Sequence, residues 1–462
     1  MKIDTFYAKK RRKIVFCTVY VTLTAYLLMF SFLPMQEESI KYLETDSSSL
    51  KNLLVTHIIL IPVISIPAGY LSDITSYKVV LHFSAWLVTF SSFSRMFGLW
   101  RRNFYFIFQS QLLAMFTGGT QIIGTTIANV WFRHPHKRVF VSSLIYIVEI
   151  IAILVPVFGY LTDLKVSVIL WSCSIPGVFA GFLCFLFETM HYETDEYEYL
   201  PYENIHPEPI SEQLCRPAMW LLIIQQIMMK GVGTSTFLKM PAILSVFGYS
   251  KNQAMTIAAV FLSAGLTSTI VIAVTCRFLT TFTKPKHSTL INIVIIGSKL
   301  LSIISSSLLI VISKSIKPDN YETLVILFFF YGMVTIPVVC GLFEVACETV
   351  DTVKVGFITA FMNSLAKTAA SVINIFLFSS KIRIVESDGV VKLDGFSESA
   401  ENFDPTTSLM VFGFLSLVTS CVFGIFYKCP FFRVRREAGY QEFIEQRFSV
   451  ASDGHSGPKK EW

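Results

Sequence analysis

Four polar side chains stand where an apolar segment ordinarily carries none: Glu149, Lys230, Asn363 and Lys367. Each sits inside a run long enough to cross a bilayer, where an ionisable group persists only if it faces a polar interior or a partner. Helical spacing gathers them into stripes. Asn363, Lys367, Ser371 and Asn374 share one face, as do Gln226, Lys230 and Thr234. Two ammonium groups against one carboxylate leave a positive balance, which repels a cation and favours a carboxylate, a phosphate or a neutral polar head. Two roles stay open for Glu149: it pairs with Lys230 or Lys367 and ties helices together, or it carries a proton during transport. Glu344 and Glu348, four residues apart, fall near a segment end, where a gating latch to a basic residue of another loop is expected.

The elements that must hold these groups are read from composition. With 53% hydrophobic residues, 15% charged and a mean hydropathy of +0.59, the chain lies outside the soluble range, where about a quarter of residues are charged. Its apolar runs of roughly 20 residues suit helices and lack the two-residue alternation of membrane barrels. The formal charge of +6 comes from short Lys and Arg clusters beside apolar segments, a pattern that orients a membrane protein, so no nucleic-acid partner is expected. The nine cysteines show neither a disulfide framework nor zinc spacing. No Walker-type loop, catalytic triad or metal cluster is present, so the sequence supports neither an enzyme nor a pump, and no cofactor is expected.

Twelve apolar segments follow in order: 14–34, 52–71, 79–97, 104–130, 139–161 and 166–187, then 218–247, 254–279, 289–313, 323–347, 356–379 and 408–427. Between the sixth and seventh lies a polar break with Glu193, Asp195, Glu196, Glu198, Glu203 and Glu208. The expected organisation is a cytoplasmic N-terminal segment 1–13, a six-helix bundle 14–187, an acidic cytoplasmic linker 188–216, a second six-helix bundle 217–428 and a cytoplasmic tail 429–462. Lys9 to Lys13, Arg133, Lys137, Arg138, Arg277, Lys284, Lys286, Arg433, Arg435 and Arg436 all fall on one side, which puts both termini in the cytoplasm. Arg101 and Arg102 dissent. A monomer in the lipid bilayer of the plasma membrane or of an internal membrane is expected.

The turn after the second segment reads Gly69-Tyr70-Leu71-Ser72-Asp73-Ile74-Thr75-Ser76-Tyr77-Lys78. It resembles the cytoplasmic motif of the major facilitator superfamily, in which glycine lets two helices approach, aspartate faces a helix end and a basic residue completes a latch. Lys78 fills the basic end, whereas Ile74 replaces the usual second basic residue. That resemblance implies an all-α fold of twelve transmembrane helices in two six-helix bundles, with Gly69, Asp73, Lys78, Glu344 and Glu348 as gating residues. It also implies that the Gln226–Thr234 and Asn363–Asn374 stripes line a central cavity.

Phe343-Glu344-Val345-Ala346-Cys347-Glu348, then Gly356, then Asn363-Ser364-Leu365-Ala366, is similar to the helix 10 to helix 11 signature of feline leukaemia virus subgroup C receptor-related transporters. Asn129-Val130-Trp131-Phe132 with Lys137-Arg138 is a second similar segment. The resemblance implies a carrier of small metabolites, with choline, ethanolamine and haem as substrate classes, and a quaternary-amine site built for cation–π capture. Carried over by position, that site becomes Phe30 in place of a tryptophan, Tyr146 in place of a glutamine, Thr234 in place of an aromatic and Lys367 in place of a glutamine. Most of the cage is altered. The expected substrate-binding set is Phe30, Tyr146, Glu149, Lys230, Thr234, Asn363 and Lys367, serving a small polar metabolite (choline- or ethanolamine-like, haem, or an anionic compound) by uniport or proton-coupled transport. A receptor or nutrient sensor on the same fold is the alternative. Lys299 receives no role from the sequence.

Overall fold

The computed structural model describes residues 2–45, 47–75, 77–117, 120–131, 135–188, 210–283, 287–349, 355–378, 384–387, 390–393 and 405–430. The expected acidic linker (apart from its last residues), the end of the Asn129–Phe132 segment and the tail beyond 430 lie outside them. So do Arg133, Lys284, Lys286, Arg433, Arg435 and Arg436. Among the described residues almost everything regular is helical.

Each apolar segment becomes a helix or a broken one. The first three are α1 (Lys2–Phe30), α3 (Ser47–Ile74) and α4 (Tyr77–Arg101), with a short α2 (Gln36–Leu43) after the first. The fourth breaks into α5 (Phe104–Phe116) and α6 (Thr120–Trp131), the fifth is α7 (Pro135–Leu161), and the sixth breaks into α8 (Val166–Val178) and α9 (Ala180–Glu188). A short α10 (Ile210–Leu214) precedes the seventh, which is the most interrupted: α11 (Pro217–Gln226), a π-helical turn (Ile227–Val232) and α12 (Gly233–Val246). The remainder are α13 (Lys251–Thr283), α14 (His287–Ser315), α15 (Tyr321–Thr349), α16 (Val355–Phe378) and α17 (Pro405–Phe426). Among the described residues eight helical stretches are long and apolar enough to cross a membrane, and Leu60–Ile74 and Phe104–Phe116 are shorter apolar helices. A short antiparallel β-ribbon, β1 (Ile384–Ser387) with β2 (Val390–Leu393), lies between α16 and α17 and leaves the all-α class of the fold intact. Its Ile-Val and Val-Val pairs are β-branched and favour a strand over a helix.

Helices of the first six segments pack on helices of the last six along two seams: α3 on α16, and α7 on α13 and α15. Large apolar side chains such as Phe83, Phe90, Leu300 and Phe426 remain exposed on the outside. That distribution suits a lipid solvent, in which an apolar exterior carries no penalty.

Candidate functional site

The centre is organised by the interrupted seventh segment. A π turn fits one residue more than an α turn and is common at functional positions. Here it carries Lys230 and Gly231. A Cβ on Gly231 would stand 3.2 Å from the Ala366 carbonyl oxygen, so glycine lets the turn lie against α16. Ser235 Oγ ties the same contact by donating to the carbonyls of Gly231 (2.8 Å) and Ala370 (2.9 Å).

Close approach of the two helices aims Lys230 Nζ at the Asn363 side-chain oxygen, 2.8 Å away. The Glu149 carboxylate of α7 lies 3.7 Å from the same ammonium. Lys230 also stands over the rings of Tyr146 (5.0 Å) and Phe343 (5.7 Å), which stack on each other at 4.9 Å. Lys367 takes a different partner. Its Nζ donates to the Tyr26 hydroxyl at 3.2 Å and lies 5.4 Å from that ring, and Tyr26 stacks on Phe30 at 5.6 Å. No carboxylate of the described residues reaches ion-pairing distance of Lys367.

A cavity of about 120 Å3 opens beside this cluster. Of the expected substrate-binding residues, Phe30, Tyr146, Glu149, Lys230 and Thr234 line it, and Thr335 adds a hydroxyl. Asn363 and Lys367 do not; they stand behind it, Asn363 through Lys230 and Lys367 through the Tyr26–Phe30 stack. The rest of the wall is aliphatic, aromatic, sulfur-bearing or glycine, with Phe237 and Phe261 among the largest groups.

At one end of the cavity the expected gating residues meet. Asp73 accepts from the backbone N–H groups of Gly356 (3.0 Å) and Phe357 (2.7 Å). These belong to the first turn of α16, whose N–H groups have no intrahelical acceptor, so the carboxylate caps the helix from another element. A Cβ on Gly69 would stand 2.5 Å from the Gly356 oxygen, and one on Gly356 would stand 2.9 Å from the Gly69 oxygen. The two helices therefore meet backbone to backbone. Lys78 lies in the first turn of α4. Glu344 and Glu348 of α15 flank Arg138 of α7, at 3.9 and 3.5 Å, and all three are buried. The expected partner was a basic residue of another loop; Arg138, named in the sequence as an orientation marker and in the second family-like segment, takes that place from the first turn of α7.

The opposite end closes through groups the sequence reading did not single out. Lys251, at the start of α13, bonds Glu38 of α2 at 2.8 and 3.0 Å, lies 3.9 Å from Glu37, and covers the Tyr160 ring of α7 at 5.0 Å. Val157 and Ile257 belong to one buried apolar cluster with Ile153 and Phe261, which line the cavity. Two more cations take defined partners: Arg95, which the sequence reading did not name, and Lys299, which it left without a role. Arg95 of α4 is fully buried and donates to Ser31 (2.8 Å), Ser110 (3.1 Å) and Gln111, joining α1, α4 and α5. Lys299 of α14 donates to the carbonyls of Gly424 (3.0 Å) and Tyr427 (2.8 Å), placing a cation at the negative end of α17.

A helical bundle with a small central cavity, and ion-pair contacts between its first and last helices on either side of it, suits a membrane carrier. The chain belongs to the Major Facilitator Superfamily, whose family model matches residues 14–374. It is a multi-pass membrane protein and a secondary transporter. Among solved structures the fold is similar to the E. coli fucose:proton symporter FucP, at 11% identity and a TM-score of 0.60, covering 90% of this chain and 98% of that one. It is also similar to the proton:xylose symporter XylE bound to 6-bromo-6-deoxy-D-glucose, at 14% identity and a TM-score of 0.62, covering 91% and 96%. No curated protein matches the sequence.

Proposed function

We propose that the carrier moves a small organic anion with an apolar body, by alternating access around the Lys230–Glu149–Asn363 cluster. The observation that carries this reading is Lys367, bonded to a phenol rather than a carboxylate. With Lys230 facing Glu149, the centre sums to one positive charge, and a monoanion neutralises it. The resemblance to feline leukaemia virus subgroup C receptor-related transporters suggests choline, ethanolamine or haem, and the geometry argues against each. The faces of Tyr146 and Phe343 are occupied by the ammonium of Lys230, and that of Tyr26 by Lys367. A cationic amine would meet like charge where the cage needs bare rings. Haem is larger than a drug-sized ligand, and the pockets that bury such ligands run to about 300–1,000 Å3, against about 120 Å3 here. A sugar, the solute named for the two similar symporters, needs hydrogen-bonding groups around its whole rim, and this wall is mostly apolar.

The test compares three molecules that share a phenyl body: benzenesulfonate, benzenesulfonamide and phenyltrimethylammonium. Thermal unfolding of the purified protein in detergent is expected to shift upward with the sulfonate and not with the ammonium compound. Lys367→Gln is expected to weaken sulfonate binding about tenfold, roughly 1.4 kcal/mol. Unchanged affinity in that variant, or stabilisation by the ammonium compound, rules the anion reading out.

A further inference from the structure

We infer that the carrier is an anion exchanger, in which one solute crosses as another returns and net flow is slow, because its empty centre holds a surplus ammonium. This rests on the anion reading above. Lys230 has the Asn363 oxygen at 2.8 Å and the Glu149 carboxylate at 3.7 Å, whereas Lys367 bonds the Tyr26 hydroxyl and shares the field of that same single carboxylate. Both ends are shut at once, one by Arg138 between Glu344 and Glu348 and the other by Lys251 on Glu38. In that closed state two ammonium groups, Lys230 buried and Lys367 half-buried, share one carboxylate, so one positive charge stays unbalanced inside the bundle, the condition that makes an ion there costly.

A bound monoanion supplies the missing charge, so the loaded centre closes more readily than the empty one. Exchange needs only the loaded crossing. Net transport also needs the empty cavity to close and return. A tenfold difference between the two corresponds to about 1.4 kcal/mol between the loaded and empty barriers.

Full-length protein in proteoliposomes loaded with labelled benzenesulfonate distinguishes the cases. Efflux into buffer containing unlabelled benzenesulfonate is expected to run at least tenfold faster than efflux into buffer without it. Lys367→Gln is expected to bring that ratio close to one, and Lys367→Arg to preserve it. A wild-type ratio near one, or a ratio unmoved by Lys367→Gln, overturns exchange and leaves anion transport standing. No efflux under either condition overturns both. A second measurement uses wild-type protein alone: an imposed membrane potential is expected to change net efflux and leave exchange unchanged, and net efflux indifferent to potential overturns the inference.

Discussion

At the end carrying Asp73, the first and last helices meet through a buried guanidinium between two carboxylates and through glycine backbone laid on glycine backbone. At the other end they meet through apolar side chains and a Lys251 that is 31% exposed, resting on a Glu38 that is 36% exposed. The first contact is rigid and dry, so breaking it strands charges in a poor solvent. The second is half in water, where an ion pair contributes about 1 kcal/mol or less. The Lys251 end is therefore the one that opens at smaller cost from this closed state, and access to the cavity is set mainly by the strength of the Arg138 end.

The comparison breaks first at Arg138. Arg138→Ala leaves Glu344 and Glu348 facing each other without the guanidinium, and a loss of about 3–5 kcal/mol is expected, read as a lower unfolding temperature in detergent. Adding Glu344→Gln and Glu348→Gln is expected to recover part of it; no recovery would mean that Arg138 acts by packing alone. Asp73→Asn removes the charge facing the first turn of α16 and keeps the side-chain shape. About 1 kcal/mol is expected, seen as faster modification of Cys340, which lines the cavity, by an impermeant thiol reagent added from the Asp73 side, with Cys340→Ser as the control. The smallest effect belongs to Lys251→Gln, at about 1 kcal/mol or less. Its faster Cys340 modification from the other side is expected to match wild type at about 1 M salt, where exposed charges are screened. A charge exchange, Lys251→Glu with Glu38→Lys, is expected to restore slow modification.

Much of this arrangement was legible as local pattern. Apolar run length located every helix that carries a candidate residue, and the Gly69–Lys78 turn announced a close helix contact and a carboxylate at a helix end. The sequence also showed two central ammonium groups against one carboxylate. What it could not assign was which group faces which. Lys230 and Asn363 are 133 residues apart, and Lys367 and Tyr26 are 341 apart; helical periodicity orders a face but names no partner across the bundle. Arg138 was hidden because a basic residue at a segment end reads as a topology marker. Lys251 and Glu38 were hidden because both lie at helix starts, where charge is ordinary. Arg95 was the avoidable omission, since it sits in an apolar run as plainly as Lys230 does.

The turn from Ile227 to Val232 has one consequence beyond the position of Lys230. One extra residue in a helix is a phase shift of about 100°, so the faces before and after it point to different neighbours. Below the turn, Gln225 bonds Ser420 of α17. Within it, Lys230 reaches Asn363 and Glu149. Beyond it, Thr234 and Phe237 face the cavity while Ser235 holds α16. A single apolar segment thus behaves as two rods joined by a fixed angular offset, with Lys230 at the joint and the cavity wall on the second rod.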